Sequence, residues 1–329
     1  MGLHTTQGEP LMTGRNQRAV AVDAQPLVSV IMNCRNGERY LREAIDSVFA
    51  QTYGNWEIVF FDNLSTDNSA SIAQSYGERL RYFRGEQAMS LGAARNAAIG
   101  HARGEWIAFL DTDDRWLPDK LAWQVTAFTE TPQADFLYTN YYVLQESTGQ
   151  TVLGLLRPQP EGCVFGEFLR HYPVNLQTVM VRAAALHDLK ELLDPALEVS
   201  EEYDLFMRLL YVSQARYLRQ PTAVYRVHDQ MSSIRHIEKY PVENSYILGK
   251  LRAMVPDLDK RFPEEVAHLE AKIGYWYAAA HMHEGNASLA RAALRPYKWR
   301  HPVFCALYFA TYFPLFVWGG LQRMRRIVR

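Results

Sequence analysis

Three carboxylates, Asp111, Asp113 and Asp114, crowd the end of the apolar run 106–110. Acidic groups this close repel one another, and the repulsion is relieved when a divalent cation or a hydroxyl-rich ligand sits among them. A single Asp in such a place reads as the cap of the next helix, whereas D-x-D-D after a buried strand reads as a ligand site. A second acidic group, Glu201, Glu202 and Asp204, opens a segment in which Leu205, Arg208 and Leu209 have helical spacing. Its charge therefore falls at a helix N-terminus, where the backbone dipole favours it. Asp204 also has a plain structural role open to it, an i, i+4 pair with Arg208.

These groups need elements to hold them. Residues 106–110 are continuously apolar and follow Gly104, which suits a strand buried on both faces of a parallel sheet. Upstream, residues 27–32 form a short apolar strand running into the polar stretch 33–37. Leu41, Ala44, Ile45, Val48 and Phe49 recur with helical spacing, and residues 56–61 make a second strand ending at Asp62 and Asn63. Ser65, Thr66 and Asp67 open a second helix, residues 81–84 read as a third strand, and residues 90–96 begin a helix of small side chains. This repeated strand and helix order predicts an α/β fold with a doubly wound, mostly parallel sheet. The polar ends at 33–36, 62–63 and 111–114 then converge on one rim, where open α/β sheets bind ligands. Neither G-x-G-x-x-G nor G-x-x-x-x-G-K-[ST] occurs, so the phosphates of any nucleotide there must be met by a metal and by cations.

At 329 residues, 48% hydrophobic, the chain can bury a full core and carry an extension. A net charge of -1 gives no reason to expect a nucleic-acid partner. Cys34, Cys163 and Cys305 are scattered and odd in number, so neither a disulfide framework nor a zinc site is indicated, and a reducing compartment fits best. The first 25 residues lack the apolar core of a signal peptide and read as a loose tail.

Residues 28–120 resemble the nucleotide-sugar half of the inverting family 2 glycosyltransferases with a GT-A fold. The resemblance is carried by the V-S-V-I strand, Asn36 before Tyr40-Leu41, the run from Ala44-Ile45 to Gln51-Thr52-Tyr53, Asp62-x-x-Ser65-Thr66-Asp67, Ala94-Arg95-Asn96, and Gly104-Glu105 through Asp113-Asp114. Asn33-Cys34-Arg35 departs from the Pro-Thr-Tyr common there, and Asn63 stands where a second Asp is common. The resemblance implies a Rossmann-like GT-A catalytic domain over residues 26–231, with a nucleotide-sugar half at 26–145 and an acceptor and base half at 146–231. In it Asn36 lies in the donor half, Asp62 accepts from the edge of a pyrimidine-like base, Arg95 lies over the base or near the phosphates, and Asp111 holds the ribose hydroxyls. Asp113 is the implied ligand of a Mg²⁺ or Mn²⁺ cofactor. Glu202 takes the position of the family's catalytic base, usually Asp, with Asp204 as the second choice. The Tyr225-Arg226-x-His228 segment makes Arg226 a charge for the leaving group and His228 a further metal ligand or phosphate donor. Asn175 and Gln177 fall in the region that lines the acceptor side. For Asp62 a helix cap, and for Arg95 a surface ion pair, are the structural alternatives.

Beyond residue 231 the pattern turns helical, with segments 244–254, 264–277 and 287–294 in an extension over 232–300. Residues 302–322 carry no charge and many aromatics, enough for a span of ~20 residues. Pro314 interrupts them, and basic residues flank both ends, so residues 301–329 are expected to lie in the interface of a membrane rather than cross it. The expected function is metal-dependent, inverting transfer of a sugar from a nucleoside diphosphate, UDP first, to a saccharide acceptor that is lipid-linked, in polysaccharide assembly at the cytoplasmic face of a membrane. The alternatives are a nucleotidyltransferase, which should carry a Gly-rich basic loop after the first strand, and a non-catalytic nucleotide-sugar-binding membrane partner.

Overall fold

The computed structural model describes residues 25–231, 236, 238–313 and 318, and the chain divides into two compact units. The expected N-terminal tail and the basic end of the C-terminal segment lie outside the described residues.

The first unit is an α/β layer built on a sheet of nine strands among the described residues. In chain order its elements are β1 (Val28–Cys34), α1 (Glu38–Phe49), β2 (Trp56–Asp62), α2 (Ser69–Gln74), β3 (Leu80–Arg84), α3 (Leu91–Gly100), β4 (Trp106–Phe109), β5 (Arg115–Trp116), α4 (Lys120–Glu130), β6 (Ala134–Gln145), β7 (Gln150–Leu153), α5 (Phe165–Arg170), β8 (Met180–Arg182), α6 (Ala183–His187), α7 (Glu201–Val212) and β9 (Gln214–Val227). The sheet order is β3-β2-β1-β4-β8-β6-β9-β5, with β7 paired to the far end of β6, beyond β8 on the edge opposite β9. β3, β2, β1 and β4 run parallel, as the repeated strand and helix order requires, and β8 then enters antiparallel to β4.

Every residue of β1 and β2 is buried, which is why both read as nearly unbroken apolar runs. β1 continues through Asn33 and Cys34, past the end that the polar residues suggest, because Asn33 and Cys34 pair with Phe61 and Asp62 of β2. On α1, Leu41, Ala44, Ile45 and Val48 are buried against the sheet, the spacing the sequence predicts. Residues 115–160 carry no motif; they supply α4 and the long strand β6, which pairs with β9 along most of its length. α7 seats through Phe206, whose ring meets Phe109 of β4 at 5.9 Å and Phe136 of β6 at 5.1 Å. That contact brings the N-terminus of α7 to the carboxyl end of β4.

The second unit, mostly residues 229–329, contains α8 (Lys239–Met254), α9 (Leu258–Arg261), α10 (Pro263–His283), α11 (Ala287–Leu294) and α12 (Pro302–Ala310). Ala271, Tyr275, Ala278, Met282, Ala290, Leu294, Phe304 and Leu307 form its core. Small residues let α10 and α11 approach closely, and the ring of Tyr297 lies where a Cβ on Gly274 would stand. The helical extension thus agrees with the sequence. Among the described residues no helix is long and apolar enough to cross a membrane.

Gly104 sets the start of β4: a Cβ there would sit 2.6 Å from the Ser29 amide nitrogen and 2.7 Å from the Leu27 carbonyl oxygen, both backbone. Gly104→Ala is expected to cost about 1–3 kcal/mol through this overpacking. The check is the midpoint of urea unfolding followed by circular dichroism, and an unchanged midpoint would show that the backbone yields freely.

Candidate donor and base site

The carboxyl ends of β1, β2 and β4 meet at one rim, and the loop after β4 carries the acidic triplet. Asp111 is held by three hydrogen bonds and keeps part of its carboxylate open. Its amide donates to Gln177 Oε1 at 2.8 Å, its Oδ2 accepts from Gln177 Nε2 at 2.7 Å, and its Oδ1 accepts from Arg95 Nη2 at 2.8 Å. Gln177 is buried in a short turn capped by Asn175, whose Oδ1 accepts the Gln177 amide. Behind it, Trp116 Nε1 donates to the Gln177 carbonyl and Gln124 Nε2 to that of Thr178. The polar residues expected on the acceptor side therefore meet the donor half through Asp111.

Arg95 is buried on α3, so a surface ion pair does not describe it. Its Nη1 donates to Glu201 Oε1 at 2.6 Å and lies 3.7 Å from Glu202 Oε2. Burial works against its charge, but Asp111, Glu201 and Glu202 together outweigh burial and raise its proton affinity. Glu202 has a side chain one third exposed (32%), and burial followed by the charge of Glu201 pushes its pKa up to about 8, with Arg95 opposing. Asp204 faces the other way, salt-bridged to Arg208 at 2.7 Å as the helical spacing suggests.

Asp111, Asp113 and Asp114 each bring a carboxylate oxygen within 4.8 Å of the others. Burial and the charge of Asp111 raise the pKa of Asp113; burial and Asp113 raise that of Asp114 well above the carboxylate range. Such strain is what a divalent cation removes, and the hard oxygen donors fit Mg²⁺ or Mn²⁺. His228, just past β9, places Nε2 3.0 Å from Asp113 Oδ2. Arg226 is engaged by this chain's own groups: its amide donates to Asp114 Oδ1 at 2.7 Å, its Nε to the Asp113 carbonyl at 3.0 Å, and its Nη2 to Glu43.

At the β1 and β2 ends, Asp62 is fully buried and does not cap α2, which starts after Asn68. It accepts from the Ser65 amide at 2.7 Å and the Tyr82 hydroxyl at 2.6 Å, with Arg84 at 3.5 Å. Asn36 adopts φ 57 and accepts the Thr66 amide at 2.8 Å, tying the β1 and β2 loops together. Asn63 pairs through both amide atoms with the backbone of Met89. Asn33 is the residue that sequence reasoning left without a role. Its side chain is buried, and neither amide atom has a hydrogen-bond partner among the described residues. Orphaned buried amides are rare and costly, so this one marks a wall that a polar ligand can complete. Its only trace in the sequence is a polar residue where the family favours Pro.

With the site assembled, likeness to known proteins can be set beside it. The family description Glycosyl transferase family 2 matches residues 29–172. An uncharacterized glycosyltransferase of Rickettsia typhi is 30% identical over 263 residues, 76% of this chain and 81% of its own. The Escherichia coli UDP-Glc:alpha-D-GlcNAc-diphosphoundecaprenol beta-1,3-glucosyltransferase WfaP is 30% identical over 204 residues, 61% of this chain and 78% of its own. Among solved structures, a mannosyltransferase from Pyrobaculum calidifontis in complex with GDP-Man and Mn²⁺ aligns with TM-score 0.60 at 19% identity, over 92% of this chain and 85% of its own. That last likeness speaks to fold alone, and the fold is the GT-A type that the family resemblance implies. The family match over residues 29–172 and the relative aligned over 81% of its length agree: the chain belongs to glycosyltransferase family 2.

Proposed function

We propose that this glycosyltransferase carries out metal-dependent, inverting transfer from a UDP-sugar to a hydroxyl of a lipid-linked saccharide. The observation that carries the reading is the meeting of the D-x-D-D loop with the first turn of α7 through Arg95, which sets a carboxylate of raised pKa beside the donor rim.

On this reading Asp113, Asp111 and His228 hold the cation, which supplies neutralising charge to the diphosphate as the glycosidic bond breaks. Asp111 faces the ribose, and Asn33 and Asn36 line the nucleotide with the loop that Asp62 holds. Glu202 takes the proton of the acceptor hydroxyl while the sugar's anomeric carbon exchanges its diphosphate oxygen for the acceptor oxygen. Asp204 is a structural ion-pair partner in this scheme. Arg226 reaches the leaving phosphates only by exchanging its hydrogen bond to Glu43. UDP is preferred because of the relative that uses UDP-Glc, and a lipid-linked acceptor because that relative's acceptor is a diphosphoundecaprenol.

Attachment to the surface of a membrane fits the second unit. α12 buries Phe304, Leu307 and Ala310 yet leaves Val303 and Phe309 exposed, followed by exposed Tyr312 and Phe313. From residue 285 onward the sequence has no Asp or Glu, while Arg291, Arg295, Lys298, Arg300, Arg323, Arg325, Arg326 and Arg329 are all basic. Apolar surface beside positive charge suits an anionic bilayer interface.

Three measurements test the proposal. A screen of nucleoside-diphosphate sugars with Mn²⁺ and a lipid-linked acceptor is expected to release UDP; release of pyrophosphate from UTP and a sugar phosphate would point to a nucleotidyltransferase instead. Glu202→Gln is expected to lower kcat by about 10²–10⁴-fold. Since the raised pKa leaves the base protonated below about pH 8, wild-type kcat/KM should climb with pH through that value. A flat profile, or a Gln variant with near-normal turnover, would remove Glu202 from the role. Finally, the full chain should float with vesicles containing anionic lipid and be released by high salt; salt-independent retention would indicate a span.

A further inference from the structure

Tyr40, on the first turn of α1, reaches the end of β9 by two routes. Its ring centroid lies 5.3 Å from that of His228, and the Arg226 guanidinium carbon stands 4.5 Å from the same ring. Its hydroxyl donates to Glu146 Oε1 at 2.5 Å, while the Glu146 amide donates at 3.0 Å to the carbonyl of Val227, the residue just before His228. One side chain thus touches the imidazole directly and also braces the backbone that carries it. One turn along α1, Glu43 binds both Arg226 and Arg115, so the same helix face also holds the neighbouring arginines.

His228 follows the last residue of β9, and an imidazole at a strand end keeps its direction only if something packs against it. Groups that orient a ligand side chain are commonly worth 10–100-fold in affinity for what it binds. We propose that Tyr40 is a positioning residue that fixes His228 against Asp113 and thereby sets how strongly a divalent cation enhances nucleoside-diphosphate binding. The inference rests on the metal-site reading above.

The test is isothermal titration of UDP into the full chain, with and without Mn²⁺. In the wild type Mn²⁺ is expected to tighten UDP binding. Tyr40→Leu is expected to lose on the order of 10-fold of that gain while UDP affinity without Mn²⁺ stays the same. Tyr40→Phe, which keeps the ring, and Glu146→Gln, which keeps the backbone brace, should each lose a smaller part. In a His228→Ala background Tyr40→Leu should have no further effect, because residues that act through one another are not additive. An equal loss in both backgrounds, or a full Mn²⁺ gain in Tyr40→Leu, overturns the proposal. If Tyr40→Leu does not fold, full Mn²⁺ gain in both Tyr40→Phe and Glu146→Gln overturns it. Wild-type UDP affinity indifferent to Mn²⁺ overturns the metal reading itself, and this inference with it.

Discussion

A single buried cation holds the two halves of the site together. Arg95 reaches Asp111 at the end of β4 with one nitrogen and Glu201 at the start of α7, 106 positions further along the chain than Arg95, with the other. A guanidinium suits this task because its planar fork gives several donors in fixed directions and keeps its charge when buried. Removing one partner from a buried pair typically costs ~3–5 kcal/mol, since the other charge is left without compensation. The geometry of both the donor rim and the base helix therefore depends on this one contact.

The same contact fixes the electrostatics. One arginine faces three carboxylates, Asp111, Glu201 and Glu202, and the two bonded most closely take most of its charge. Glu202, at 3.7 Å, receives less; its burial, followed by the repulsion of Glu201, raises its pKa, while Glu201 serves as the anchor. Two adjacent glutamates on one helix turn thus differ in their distance from a common cation, one bonded to it and the other set apart from it. Asp113 and Asp114 repeat the theme on the other side, where His228 and the Arg226 amide moderate their repulsion.

Much of this was legible in the chain because it rests on local pattern. The apolar runs of β1, β2 and β4 and the 3.6-residue spacing of α1 follow from burial, and polar residues at strand ends follow from topology. The acidic turn of α7 was visible as charge at a helix start. What was not legible depends on side chains meeting across long separations. Arg95 could be read as a ligand contact or a surface pair, and only the seating of Phe206 on Phe109 and Phe136 decides that Glu201 lies beside it. Gln177 reads from the sequence as an acceptor-side residue only, because nothing local reveals that both ends of its amide meet Asp111. β6 and its pairing with β9 went unseen for the same reason: parallel partners far apart in sequence leave no local mark. Asp62 shows the converse, a residue whose motif is plain and whose partners all lie in the stretch from β2 to β3: Ser65 and Tyr82 by hydrogen bond, Arg84 by ion pair.

Family membership follows from sequence likeness, and the contacts of Arg95 give the proposed mechanism a physical form: the D-x-D-D loop and the first turn of α7 held on opposite arms of one guanidinium. If that arrangement carries out a single displacement, the configuration at the transferred carbon must invert. The most direct test is the anomeric configuration of the product formed from whichever α-linked UDP-sugar supports turnover, read from the H1–H2 coupling by proton NMR. A β-linked product is the predicted result, and an α-linked product would contradict the account.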